Sequence, residues 1–397
     1  MNKEDILAEV KQICNKNIIL EIATGGGKTL CAIHHIEKAL YDYGYFSKVL
    51  IVVPKLAVEK NWKEELAKWN KTELLKYIEF STYVSLPKNY DKEWCLVCFD
   101  EAHHLTERCI RSIENSLNRV NIRHLFLSAT LSIAFKIILN RMFPDLFVYT
   151  VTLKEAIDNK ILPEPTILLY PMILDNSQQK YVYIKRKSGI PTKVPYENRW
   201  PVIKNQNLSP HILCTELQYH NLLCDDIKFL KSVPKLKSLL QQKRMQRLKA
   251  LSDFKTTRMA SILSMLKNYR MITFCNSIEQ TEKLGKNCVH SKNEDRFLIL
   301  DDFNAKKIKH ITSCDMLSEG MNVTDCRIGL FARINASEIQ IKQKLGRILR
   351  HEKPVVIIPY FVNTREEEIV NKEILPNFNE EKIFTIHGIN EILQYLK

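Results

Sequence analysis

The sequence predicts an α/β protein of two parallel-sheet domains in tandem, with a basic hairpin and helical insert in the second. Three observations carry this reading. Apolar runs of strand length alternate with helix-length segments through the first 150 residues and again from residue 271 onward. A glycine run, Thr24-Gly-Gly-Gly-Lys-Thr29, closes the first apolar run and opens a helical one. Between the two alternating regions, residues 171–260 hold 17 Lys or Arg against 6 Asp or Glu, most of a net charge of +14. The expected divisions are a first domain over 1–150, a linker over 151–165 broken by Pro163 and Pro165, and a second domain over 166–363. That second domain carries the insert at about 178–267, and a C-terminal segment covers 364–397.

In chain order, residues 3–15 read as a short helix leading to a strand at 17–20. The loop that follows has the chemistry of a nucleotide phosphate site. Gly25, Gly26 and Gly27 let the backbone turn tightly with its N–H groups aimed inward; Lys28 reaches β- and γ-phosphates, and the Thr29 hydroxyl suits Mg²⁺. Ile22 stands where such loops usually have a leading Gly or Ala. Leu30–Leu40 is the helix the loop requires. Lys48–Val53, ended by Pro54, is an apolar β-branched run of the kind buried on both faces of a parallel sheet. A helix at about Val58–Trp69, a strand at Glu79–Tyr83 and a buried strand at Trp94–Phe99 follow, then a strand at His124–Leu127 just before Ser128-Ala-Thr130. Val151–Leu162 reads as helix and turn.

Thr166–Leu174 resumes as a strand. From Gln178 to about Asn207 the pattern alternates and reads as a hairpin turning near Gly189, and from His211 to Lys267 helical patterns prevail. The α/β alternation then returns with strands at Met271–Cys275, Lys309–Ser313, Arg327–Phe331 and Pro354–Pro359, and helices at Ile278–Leu284 and Glu338–Leu349.

Composition narrows the class. The chain is 45% hydrophobic and 26% charged, as in soluble globular proteins. No apolar run approaches the ~18 residues that span a bilayer, and Met1-Asn-Lys-Glu-Asp5 opens without a signal-like apolar core, so a cytoplasmic protein with no membrane partner is expected. The 11 cysteines are scattered through apolar segments and form no disulfide framework; Cys95 and Cys98 have half of a zinc spacing with no second pair to match it. The basic region points to a polyanion partner, with a generally basic solvated surface as the alternative.

The residues that carry chemistry lie at strand ends. Asp100 and Glu101 follow the Trp94–Phe99 strand and divide the work, Asp100 holding Mg²⁺ on the β- and γ-phosphates and Glu101 accepting a proton from the attacking water. His103 sits where it senses the phosphate. In Gln343-Lys-Leu-Gly-Arg-Ile-Leu-Arg350, Arg347 and Arg350 share one helical face, suited to stabilising charge on a γ-phosphate, and Gln343 is placed to position water. Lys243, Arg244 and Arg247 crowd one side of a basic helical run, where they are expected to contact nucleic-acid phosphates; a helix that only braces the insert is the alternative.

Taken together, these segments resemble the superfamily 2 helicases and translocases, in the DEAH-like branch shared with restriction-type and chromatin-remodelling motors. Gly25–Thr29 looks like motif I, Val52–Lys55 like Ia, Ser81–Tyr83 like Ib, Asp100–His103 like II and Ser128–Thr130 like III. Thr273–Asn276 resembles motif IV, Cys314–Asn322 motif V and Gln343–Arg350 motif VI. His290-Ser-Lys292, Phe303-Asn304 and Ser318–Asn322 with the basic insert also look like compact bacteriophage-encoded helicases, which would place the protein in the host cytoplasm. The resemblance implies two RecA-like domains, ATP and Mg²⁺ in the cleft between them, and a nucleic-acid strand, DNA more than RNA, across both. It assigns Pro54, Lys55, Thr82, Asn276 and Glu319 to the strand, and Gly320 with Thr24 to the nucleotide. The expected function is an ATP-dependent helicase or translocase, working as a monomer or within a replication or repair complex. The rival readings are a nucleic-acid-binding scaffold and the motor subunit of a nuclease complex. The pattern departs from the family in lacking an adenine-reading Gln in an aromatic context before motif I, and from the short segment after residue 363 no large accessory strand-separating domain is expected.

Overall fold

A computed structural model describes residues 2–86, 90, 94–116, 122–184, 211–314, 323, 325–334 and 344–396. Two parallel sheets organise it. The first has six strands in the order β3-β2-β4-β5-β1-β6, namely β1 (Ile18–Ile22), β2 (Lys48–Val53), β3 (Ile78–Thr82), β4 (Trp94–Phe99), β5 (Arg123–Ser128) and β6 (Phe147–Val151). Every residue of β1 and β4 is buried; β4 reads as an unbroken apolar run, and β1 as one interrupted only by Glu21. Cys95 and Cys98 lie within β4 as buried residues, Cys95 Sγ donating to the Lys48 carbonyl at 3.3 Å, and behave as small hydrophobes.

Helices α1 (Lys3–Gln12), α2 (Lys28–Tyr43), α3 (Val58–Lys68), α4 (Glu107–Ser116), α5 (Ile133–Met142) and α6 (Leu153–Asp158) accompany this sheet. Local signals set their ends. Asn2 caps α1 and Thr152 caps α6, each in a reciprocal capping box. Strand β6 escapes the sequence reading, which has no strand there. It is an edge strand, and four of its five residues remain at least partly exposed although Phe147–Val151 is rich in aromatic and β-branched residues.

The second sheet has seven strands in the order β11-β12-β10-β13-β14-β7-β15. They are β7 (Thr166–Met172), β10 (Met271–Phe274), β11 (Cys288–Val289), β12 (His310–Ser313), β13 (Ile328–Phe331), β14 (Val355–Phe361) and β15 (Ile383–Thr385). Strands β11 and β15, of two and three residues, and the helix α10 (Arg296–Asn304) are too short or too weakly patterned to stand out in sequence. Helix α9 (Ile278–Leu284) lies where the sequence places it.

The region between β7 and β10 differs from expectation in two ways. Strand β8 (Tyr181–Ile184) pairs antiparallel with β9 (His211–Cys214), so the return strand falls where helix was expected; the turn near Gly189 lies outside the described residues. Helices α7 (Glu216–Lys231) and α8 (Lys237–Met265) follow. Met259, Ile262 and Leu263 of α8 pack with Leu168, Met271 and Ile328 in the core of the second sheet. The latter half of this 29-residue helix is therefore a core helix, not an appendage. Among the described residues no helix is long and apolar enough to cross a membrane.

Candidate nucleotide and nucleic-acid site

Parallel strands collect loops at their carboxyl ends, and in the first sheet β1, β4 and β5 lie near its middle with the chemistry-bearing loops after each. After β1, Gly25 and Gly27 take φ of +88° and +101°, left-handed backbone open to glycine, and Gly27 is the N-cap of α2. A Cβ at Gly26 would come within 2.7 Å of Ile22 Cγ2. The first turn of α2 has no side-chain cap, so its N–H groups remain available to an anion. Lys28 Nζ folds back to donate to the Ile22 carbonyl at 3.1 Å. The Thr24 hydroxyl is buried without a hydrogen-bond partner among the described residues.

Beyond β4, Asp100 is fixed on three sides. Its N–H donates to Val52 O at 2.8 Å, its carbonyl accepts from Tyr83 Oη at 2.7 Å, and its Oδ2 accepts from the indole Nε1 of Trp62 at 2.9 Å. Burial, then the neighbouring Glu101 carboxylate, raises the Asp100 carboxyl to about 6, against the opposing pull of the Trp62 N–H and Lys28. Glu101 holds φ 51°, ψ 58°, and its Oε2 is buried with no hydrogen-bond partner among the described residues, 3.5 Å from His103 Nδ1. His103 Nδ1 is also 3.4 Å from Ser128 Oγ at the end of β5, and Ser128 Oγ donates to Thr130 O at 2.7 Å. The loops after β4 and β5 are thereby connected. Glu21, which the sequence pattern does not single out, ties β1 to the same region: its buried carboxylate accepts from Leu131 N at 2.7 Å and pairs with Lys136.

From the second sheet, the segment 344–350 approaches these loops. An added Cβ at Gly346 would fall 2.4 Å from Thr24 Cβ and 2.9 Å from Thr24 O, so only a glycine admits this contact. Arg347, 8% exposed, is lowered by burial to about 10, with Arg350 adding to that effect and the carboxylates of Glu101 and Asp100 opposing it. Arg350 is turned elsewhere. Its Nη1 donates to Val323 O at 3.1 Å; the residue as a whole is exposed, partial desolvation of its guanidinium lowers it, and Glu65 of α3 is the carboxylate that opposes the shift. The two arginines, expected as equals, thus have different surroundings. Gln343, Glu319 and Gly320 lie outside the described residues.

The residues expected on a strand are distributed over both sheets. Pro54 and the exposed Lys55 follow β2, and Thr82 ends the adjacent β3, where Val53 and Thr82 are in register. Asn276 follows β10, its N–H held by Gln280 Oε1 at 2.9 Å. The basic run requires a correction. Lys243 is buried and pairs with Asp226 Oδ2 at 2.5 Å, its ammonium 5.0 Å from the Tyr183 ring centroid, so it holds α8 to α7 and the β8–β9 ribbon and is not presented to a phosphate. Arg247 is partly buried and donates to Cys224 Sγ at 3.7 Å, whereas Arg244 is exposed.

The donor set fits ATP with Mg²⁺: an open glycine cradle before an uncapped helix, two buried polar oxygens on Thr24 and Glu101 with no hydrogen bond among the described residues, and a carboxylate and hydroxyl on Asp100 and Thr29. Among the described residues no group of three or more His, Cys, Asp or Glu is arranged to hold a metal ion, so phosphate oxygens would complete the coordination.

Comparison with known proteins agrees with this arrangement. Residues 3–133 match the family "Type III restriction enzyme, res subunit", and residues 246–352 match "Helicase conserved C-terminal domain". The chain is 24% identical over 359 residues to the DNA 3'-5' translocase XPB2 of Sulfurisphaera tokodaii, covering 84% of this chain and 75% of that protein. In fold it is similar to Saccharomyces cerevisiae Dbp5 bound to RNA and ADP BeF3, with a TM-score of 0.57 at 10% identity over 96% of this chain and 90% of that one. It is also similar to the Pyrococcus furiosus Hef helicase domain, with a TM-score of 0.51 at 16% identity over 92% and 96%. Two helicase-type domain matches in tandem, on two RecA-like parallel-sheet domains, support a superfamily 2 helicase or translocase.

Proposed function

We propose that the chain is an ATP-hydrolysing motor of the DEAH-like branch that moves along or opens DNA, of the compact kind encoded by bacteriophages. The observation that carries the proposal is the contact between Gly346 and Thr24, which sets Arg347 of one lobe beside the carboxylates of Asp100 and Glu101 in the other. A triphosphate would lie along Gly25–Thr29, with Lys28 exchanging the Ile22 carbonyl for a phosphate oxygen. Thr29 and Asp100 would hold Mg²⁺, which neutralises charge on the β- and γ-phosphates. Glu101 takes the proton of the attacking water; among the described residues its Oε2 has no hydrogen bond, His103 Nδ1 standing 3.5 Å away. Arg347 supplies positive charge from across the junction, and Arg350 joins it once Val323 and Glu65 release it. His103, set between Glu101 and Ser128, reports the state of the phosphate to the loop after β5. Closing and opening of the two lobes, each with its own backbone contacts at Lys55, Thr82 and Asn276, converts hydrolysis into stepping.

The DNA assignment is supported by the DNA translocase among the similar proteins and by the restriction-enzyme character of the first family match. That family match also favours a second reading, a motor that serves a nuclease partner. A triplex-displacement assay tests both. A motor strips the third strand only in the presence of hydrolysable ATP, and Glu101→Gln does not; displacement that proceeds equally with ADP contradicts the proposal. Displacement that appears only when a nuclease partner is supplied selects the second reading.

A further inference from the structure

We propose that Trp62 is a positioning residue for the cation site, holding Asp100 in the orientation that leaves one oxygen free for Mg²⁺ and tying that site to the Pro54–Lys55 segment. This rests on the reading of Asp100 as the carboxylate that holds Mg²⁺.

The indole N–H is a donor only, and it reaches Asp100 Oδ2 at 2.9 Å from a side chain that is 2% exposed. The Asp100 backbone is already held by Val52 O and Tyr83 Oη, and the rotation of its carboxylate is set by the Trp62 side chain together with the Glu101 backbone N–H. With Oδ2 turned to the indole, Oδ1 is the oxygen assigned to a cation. A neutral donor suits this position. A lysine or arginine in the same place would bring a positive charge that repels the metal, whereas an indole fixes the ligand without competing.

Trp62 also sits on an element that touches the proposed nucleic-acid track. Helix α3 starts just after Lys55, and two backbone bonds make the connection stiff: Val58 N to Lys55 O and Glu59 N to Leu56 O, both 3.0 Å. One turn beyond Trp62, Glu65 accepts from Trp69 Nε1 at 3.1 Å and pairs with Lys68 at 3.3 Å. A strand pressing on Pro54 and Lys55 therefore acts on a helix that bears directly on Asp100.

The test is binding of Mn²⁺ in the presence of ADP, followed by electron paramagnetic resonance, with and without single-stranded DNA. Trp62→Phe keeps the ring in the core and removes the N–H; it should weaken Mn²⁺ binding on the order of 10-fold, the usual scale for losing an outer partner of a metal ligand. DNA should tighten Mn²⁺ binding in the wild type and leave the Phe variant unchanged. Trp62→His, which restores a ring N–H, should recover most of the affinity and serves as the informative variant if Trp62→Phe does not fold. Equal Mn²⁺ affinity in wild type and Trp62→Phe, or in a folded Trp62→His no better than Phe, overturns the proposal. A wild type that takes up no Mn²⁺ with ADP overturns the reading of Asp100 itself.

Discussion

Glu101 is where residue chemistry and backbone geometry meet. Among the described residues it is one of six non-glycine residues at positive φ, and it also presents a buried oxygen with no hydrogen-bond partner there. A general base needs such an oxygen, and the structure holds it there despite local strain. Glu101→Gln should therefore leave ATP binding intact and lower turnover by roughly 10²-fold or more. Lys28→Ala should instead weaken binding itself, because its ammonium is the group that replaces a carbonyl contact by a phosphate. Filter binding of labelled ATP beside phosphate-release rates separates the two; wild-type turnover in Glu101→Gln would remove it from the role of base. These residues are legible in sequence because the loop and the acidic pair each follow an apolar strand, and local order carries the whole signal. Trp62 is not, since its partner lies 38 residues away and nothing in the spacing announces it. Lys243 misleads for the same reason: its neighbours in sequence are basic, but its neighbours in space are Asp226 and Tyr183.

At the scale of elements, the segment 344–350 and the helix α8 decide how the lobes and the insert behave. Gly346→Ala places a Cβ against Thr24 backbone, which cannot yield as a flexible side chain would. The variant should keep its fold and its DNA affinity, while ATP turnover falls at least ~10-fold, the scale for misplacing a catalytic group by about an ångström. Unchanged turnover would show that this contact is not made in the working state. On α8, Lys243→Gln should lower thermal stability by about 1–3 kcal/mol, below the full cost of an uncompensated buried charge because Asp226 keeps 32% of its side-chain surface. Its salt dependence of DNA binding should not change. Arg244→Gln should do the opposite, with stability kept and the salt slope reduced by about one unit. A slope that drops in Lys243→Gln would return that residue to the DNA side. The sequence shows α8 as basic and helical but not where it belongs, because burial of its latter half depends on Leu168 and Ile328, strands drawn from either side of it in the chain.

At the scale of the whole molecule, both sheets bury neutral histidines. Burial lowers His35 and His310 to about 4 and His124 to about 3, from an ordinary value of 6.5. A lowered histidine contributes stability that is present above its unfolded value and is lost as the pH falls toward its folded value. The unfolding free energy should accordingly fall as pH drops below 6.5, by up to about 1.4 kcal/mol per pH unit for each histidine. His124→Phe, among the rings of Phe99, Phe126 and Phe143, should remove one proton from that slope; an unaltered slope would contradict the assignment. The larger claim concerns the two lobes acting together, and it is tested most directly by ATP turnover of the purified chain with no polymer, single-stranded DNA, duplex DNA and RNA in parallel. Hydrolysis stimulated by DNA in the wild type and lost in Arg347→Ala, with DNA binding retained, is the result predicted. Turnover that no polymer stimulates, or that survives Arg347→Ala unchanged, would contradict a motor whose nucleotide site is completed across the lobes.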